Sequence, residues 1–165
     1  MTTPIDVKPD GDRDLILCRI IDAPREKVFA AFSNPEKLKQ WWAPRPYTTP
    51  IVEFDLRPGG SARTVMRAPD GADMPHGSVF LEVVPNRRIV MTDALKPGWI
   101  PQDAFMVAIV TFEPEGSGTR YTARVLHWSE EAMKQHEEMG FHEGWGIVAG
   151  QLADLAEGGS TASAA

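Results

Sequence analysis

The chain has 165 residues, 42% of them hydrophobic, with 17 Lys and Arg against 23 Asp and Glu for a formal charge of −6. That length fits one globular domain able to bury roughly two-thirds of the surface its unfolded chain exposes. The acidic balance and the scattered arginines give no basic footprint for a nucleic acid, and no apolar run approaches the ~18 residues of a membrane span.

The N-terminal "MTTPIDVKPDGDRD" lacks the apolar stretch of a secretory leader, so the expectation is a cytoplasmic protein. Residues 1–13, broken by Pro4, Pro9 and Gly11, read as a disordered tail, as does 158–165, "GGSTASAA". The domain is then 14–157. "DLILCRIID" is a strand, and its Cys18, the single cysteine, reads as a buried inert thiol with no disulfide partner. Pro24 sits at the first turn of a helix that carries Val28, Phe29 and Phe32 on one face, and Asn34-Pro35 opens a second short helix leading into Trp41-Trp42.

From Thr48 to Trp128 the apolar period becomes two, with turn signals at "RPGG", "PDGADMP", "VPNRR", "KPGWIPQ" and "PEGSG". Those breaks predict six strands, near 48–56, 61–68, 77–84, 88–94, 104–113 and 119–127, joined as an antiparallel meander. Ser129 followed by two glutamates is a helix start. Phe141, Trp145, Val148, Leu152 and Leu155 then form one apolar stripe, which predicts a single long helix over about 129–157. The fold class is α+β: a curved seven-stranded antiparallel sheet burying one face against the last helix, with space left between them.

The stretch "HEEMGFHEGWG" looks at first like a metal site. A helical zinc pair needs histidines four apart, whereas His136 and His142 are six apart, and no cysteine partner exists; no metal is expected. His136, Glu130, Glu131, Glu138 and Glu143 read as a solvated face, with Glu137 nearer the stripe. Gly140, Gly144 and Gly146 read as close backbone approach or as room beside Trp145.

Strand alternation sorts the candidate wall. Arg63 and Arg67 point to water and turn Thr64 and Met66 inward. Val52 and Phe54 face in against Glu53 and Asp55. Arg120, Thr122 and Arg124 face out, leaving Tyr121, Ala123, Val125 and His127 inward. Glu82 turns Val79, Leu81 and Val83 inward, which places Phe80 outside. The expected ligand-binding residues are Trp42, Phe54, Met66, Leu81, Met91, Tyr121, Val125, His127, Phe141 and Trp145. Tyr121 and His127, with Asp93 near a strand end, are the candidate catalytic residues, since a phenol and an imidazole in an apolar cavity can orient or protonate a carbonyl. The competing reading makes both satisfied core residues and Asp93 a turn acid.

Three motifs, the Trp41-Trp42 pair, "FDLRPGG" and the Gly144-Trp145 of the last helix, occur in an order that resembles the START-like (SRPBCC) superfamily. Within it, the chain is similar to the branch of activator of heat-shock protein 90 ATPase homologues. The resemblance implies a helix-grip (Bet v 1-like) fold enclosing a hydrophobic cavity, and it supplies no fixed catalytic residue at these positions. Fold alone does not assign activity. The expected function is binding of a small hydrophobic or aromatic molecule, with no cofactor. The second is an enzyme of the polyketide cyclase or hydrolase type using the same cavity. The third is a co-chaperone-like protein interaction, less favoured because the sequence holds no second domain to grip a large ATPase; a homodimer is left open.

Overall fold

The computed structural model describes residues 3–5, 11 and 13–158. In chain order the elements are β1 (Thr3–Ile5), β2 (Asp14–Ile21), α1 (Arg25–Ser33), α2 (Pro35–Leu38), β3 (Thr48–Phe54), β4 (Ala62–Arg67), β5 (Asp73–His76), β6 (Val79–Val84), β7 (Arg88–Thr92), β8 (Leu95–Lys96), β9 (Ile100–Pro101), β10 (Met106–Glu115), β11 (Gly118–His127), α3 (Glu130–Glu138) and α4 (Phe141–Ala156). Pro24 is the N-cap of α1. Asn34 caps α2, its side chain accepting from the backbone N–H groups of Glu36 and Lys37.

The main sheet runs β1-β2-β11-β10-β7-β6, and each of its neighbouring pairs is antiparallel. β3, β4 and β5 form a second ribbon. The two are joined, because β4 pairs Thr64 with His76 on β5 and Ser61 just before β4 bridges Val79 on β6 in the same register. β5 and β6 are thus one strand bent at Gly77-Ser78, and the curved sheet continues through β4 to β3. Its strand sequence is the seven-stranded order of the expectation with three additions: β1, the β5 end of the bent strand, and the small β8-β9 hairpin. The "FDLRPGG" turn makes the join. Gly59 N–H donates to the Phe80 carbonyl and Phe80 N–H to that of Gly60. A Cβ on Gly60 would stand 2.0 Å from the Asp55 carbonyl oxygen, so only glycine fits there. β3, at the outer rim, carries Pro50 at a register shift, and β1, at the other, carries Pro4.

Two expectations are corrected. Thr3–Ile5, placed in a disordered tail, pairs with Ile20–Cys18 of β2, while most of 1–13 and all of 159–165 lie outside the described residues. The long last helix is two helices. Ser129 caps α3 as expected, its hydroxyl accepting from Ala132 N–H. Gly140 then adopts φ 95° and ends the run, so that α4 restarts at Phe141. α4 packs its stripe, with Phe141 and Leu152 fully buried, against β2 and α1. No helix among the described residues is long and apolar enough to cross a membrane.

Candidate functional site

Between the concave sheet face and α4 lies a pocket of about 470 Å³. Alternation supplies its floor: Leu17 of β2, Tyr121 of β11, Met106, Ala108 and Val110 of β10, Met91 of β7, Ala62, Thr64 and Met66 of β4, and Phe54 of β3. Its roof is Phe141, Gly144, Trp145 and Val148 of α4, with His136 of α3 at one end and Phe32, Trp41 and Trp42 at the other side. Met74 and Met139, 36% and 70% exposed, mark where it meets the surface. Among the described lining residues none is Asp, Glu, Lys or Arg.

The Trp41-Trp42 turn is held by α4. Gln151, buried, donates from its amide to the carbonyls of Trp41 and Ala43 and accepts from Arg45. Trp41 is the core ring of the pair, 1% exposed, with its indole N–H given to the Ala31 carbonyl at 2.8 Å. Trp42 is the half-buried one. Gly144 leaves open space, since a Cβ there would meet nothing within 4 Å.

Of the ten expected wall residues, Trp42, Phe54, Met66, Met91, Tyr121, Phe141 and Trp145 stand on the pocket surface. Three do not. Leu81 is exposed and Phe80 is fully buried against Phe54, because a bulge between Phe80 and Glu82 shifts the alternation by one. Val125 is sealed in the core beyond the pocket surface. His127 is buried behind His136.

The three candidate catalytic residues are not brought together. Tyr121 and His127 share a face of β11 but stand six positions apart, about 20 Å at the ~3.4 Å rise of an antiparallel strand. Asp93 accepts the backbone N–H groups of Phe105 and Met106, which is the work of a turn acid. Tyr121 packs edge-to-face with Phe112, and its hydroxyl has no hydrogen-bond partner among the described residues. Burial pushes its pKa well above the ordinary phenol value, so it stays a donor.

His136 is the residue that sequence reasoning missed. Assigned to a solvated face, it is 8% exposed, because the break at Gly140 lets α3 turn that side toward β11. Its Nδ1 lies 2.9 Å from His127 Nε2, and His127 Nδ1 lies 2.9 Å from the Arg13 carbonyl. Phe105, Phe141 and Trp145 enclose the ring at centroid distances of 4.9, 5.2 and 6.1 Å. Burial, and secondarily the neighbouring His127, lower its pKa to about 4. His142, by contrast, is exposed and bonds Glu137 at 3.0 Å. Among the described residues no group of three His, Cys, Asp or Glu side chains is arranged to hold a metal.

Comparison with known proteins fits this architecture. The model of the family described as "Activator of Hsp90 ATPase homolog 1-like protein" matches residues 22–157. A solved structure from Nitrosomonas europaea is 41% identical, covers 90% of this chain and 97% of its own, and superposes with a TM-score of 0.87. One from Mycobacterium smegmatis is 26% identical over 93% of this chain and 96% of its own, with a TM-score of 0.78. An AHSA1-like protein from Aeromonas hydrophila, 19% identical over 87% and 92% of the two chains, shares the fold with a TM-score of 0.69. No curated protein matches the sequence. With its helix-grip architecture and a match over most of its length, the chain belongs to the activator of Hsp90 ATPase homolog 1-like family.

Proposed function

We propose that the protein binds a small, uncharged, apolar or aromatic molecule in the pocket between the sheet and α4. The observation that carries this reading is the wall itself: about 470 Å³ lined mainly by apolar and aromatic side chains, with Thr64, His76, Ser78, Tyr121 and His136 as its polar members and no Asp, Glu, Lys or Arg among the described lining residues. A charged ligand entering such a site loses its hydration without a partner, which costs several kcal/mol. Five of the chain's seven methionines lie on the wall, and unbranched thioethers repack around varied shapes. The pocket therefore favours a range of apolar ligands over one rigid template.

An enzyme of the cyclase or hydrolase type draws no support from Tyr121 and His127, which stand far apart along β11, or from Asp93, whose carboxylate is engaged by backbone N–H groups. A co-chaperone-like role rests on the family's description, and no feature of the site carries it.

An aromatic probe that buries about 200 Å² gains roughly 5 kcal/mol, a dissociation constant on the order of 0.1 mM. Titration with 2-methoxynaphthalene is expected to change the fluorescence of Trp42 and Trp145. Gly144→Leu fills the open space on the roof and improves helix propensity, so it is expected to abolish binding while the melting temperature holds. Binding unaltered in that variant places the site elsewhere, and no saturable binding in the parent chain refutes the reading.

A further inference from the structure

The two buried histidines form a chain whose protons are fixed from one end. A backbone carbonyl only accepts, so the 2.9 Å contact with Arg13 puts the proton of neutral His127 on Nδ1. Its Nε2 is then a lone pair, and the 2.9 Å contact beyond it requires His136 to donate from Nδ1. The remaining nitrogen of His136, Nε2, is left unprotonated. It has no hydrogen-bond partner among the described residues and is not sealed within the protein. The ring stands on the pocket wall with its Nδ1 side turned to β11.

We propose that His136 Nε2 is a fixed hydrogen-bond acceptor at the α3 end of the pocket, and that the preferred ligand is a neutral apolar molecule bearing a hydroxyl donor, of the phenol or naphthol class. The inference rests on the binding reading above and names its substrate class. A ligand that displaces water from this acceptor without replacing its hydrogen bond loses that bond, so a ligand that brings an O–H gains over the same skeleton without one. The lowered pKa keeps the imidazole neutral near pH 7 and makes it a poor base, which suits recognition of the hydroxyl and not its deprotonation. Phe105, Phe141 and Trp145 around the ring hold its orientation. Elsewhere on the wall, on β11's inner face, Tyr121 offers a donor.

The test pairs 2-naphthol with its methyl ether, 2-methoxynaphthalene, on the full chain and on His136→Asn. Asn keeps a donor where Nδ1 stands but has no acceptor at the place of Nε2. In the parent protein naphthol is expected to bind about tenfold more tightly than the ether. In H136N that ratio is expected to fall to about one. Nitrogen-15 NMR of the histidines at pH 7.5 is expected to show both His127 and His136 as Nδ1–H tautomers, a reading that needs no variant. Equal affinity of the two probes in the parent chain, a ratio unchanged in H136N, or an Nε2–H proton on His136 overturns the inference and leaves the binding function standing. Failure of both probes to bind overturns the binding function and the inference with it.

Discussion

Two aromatic clusters border the pocket, and they are supported differently. On one side Phe32 meets Trp41, Trp42 and Phe112 at 5.5 to 6.0 Å, and the Trp41 indole N–H is satisfied by a backbone carbonyl. On the other side Phe105, Phe141 and Trp145 surround His136, carried by a nine-residue helix that ends at Gly140. The first cluster is built on α1 and a turn that Gln151 clamps to α4. The second hangs on a helix too short to be stable alone, and its buried polar link to the sheet among the described residues is the histidine pair. Aromatic packing looks alike in both; what separates scaffold from candidate site is which polar atoms the packing leaves unmet.

The largest effect that tests this contrast is on the scaffold side. Phe112→Ala empties a fully packed position of that cluster, away from the pocket wall, and is expected to cost about 3–5 kcal/mol in denaturant unfolding. Trp145→Ala borders existing empty volume and is expected to cost clearly less, on the order of 1–2 kcal/mol. Equal losses would erase the distinction.

The pH response sharpens the same contrast. His136 titrates at about 4 in the folded chain against 6.5 unfolded, so between those values the unfolded chain binds a proton that the folded chain refuses. Its contribution is fully present above pH 6.5 and is lost as pH falls toward 4, by roughly 2–3 kcal/mol. The titratable group against it is His127; its other ring contacts are Phe105, Phe141 and Trp145. Unfolding free energies measured from pH 7.5 to 4.5 are expected to fall more steeply in the parent chain than in H136N. Parallel profiles would deny that the ring is held neutral. The smallest effect belongs to the exposed histidine: His142→Ala removes a surface pair with Glu137 and is expected to leave the melting temperature unchanged.

The sequence carried the parts of this molecule that obey a period. Alternation placed Thr64, Met66, Phe54 and Tyr121 on the inner face, and the Phe141 to Leu155 stripe oriented α4. It failed where one residue breaks the period. The bulge after Phe80 reversed Leu81, and the left-handed Gly140 turned His136 from solvent to core. "PDGADMP" and "KPGWIPQ" are rich in turn residues, which hid β5 and the β8-β9 hairpin inside them. The histidine pair was invisible for another reason. His127 and His136 lie on different elements, and the carbonyl that sets their protons belongs to Arg13, 114 residues from His127 in sequence.

The prolines at the sheet's two rims have a consequence for how the molecule meets its own copies. Each outer strand exposes a row of backbone groups on which another chain can lay a strand and begin an aggregate. Here the rim at β1 is only three residues long and contains Pro4, while the rim at β3 contains Pro50 beside a register shift. Proline has no N–H to offer an incoming strand, and an irregular register gives it no even ladder to match. A sheet that curves widely enough to leave a pocket is thereby kept from growing by strand addition, and its hollow interior does not have to be defended by making the domain larger.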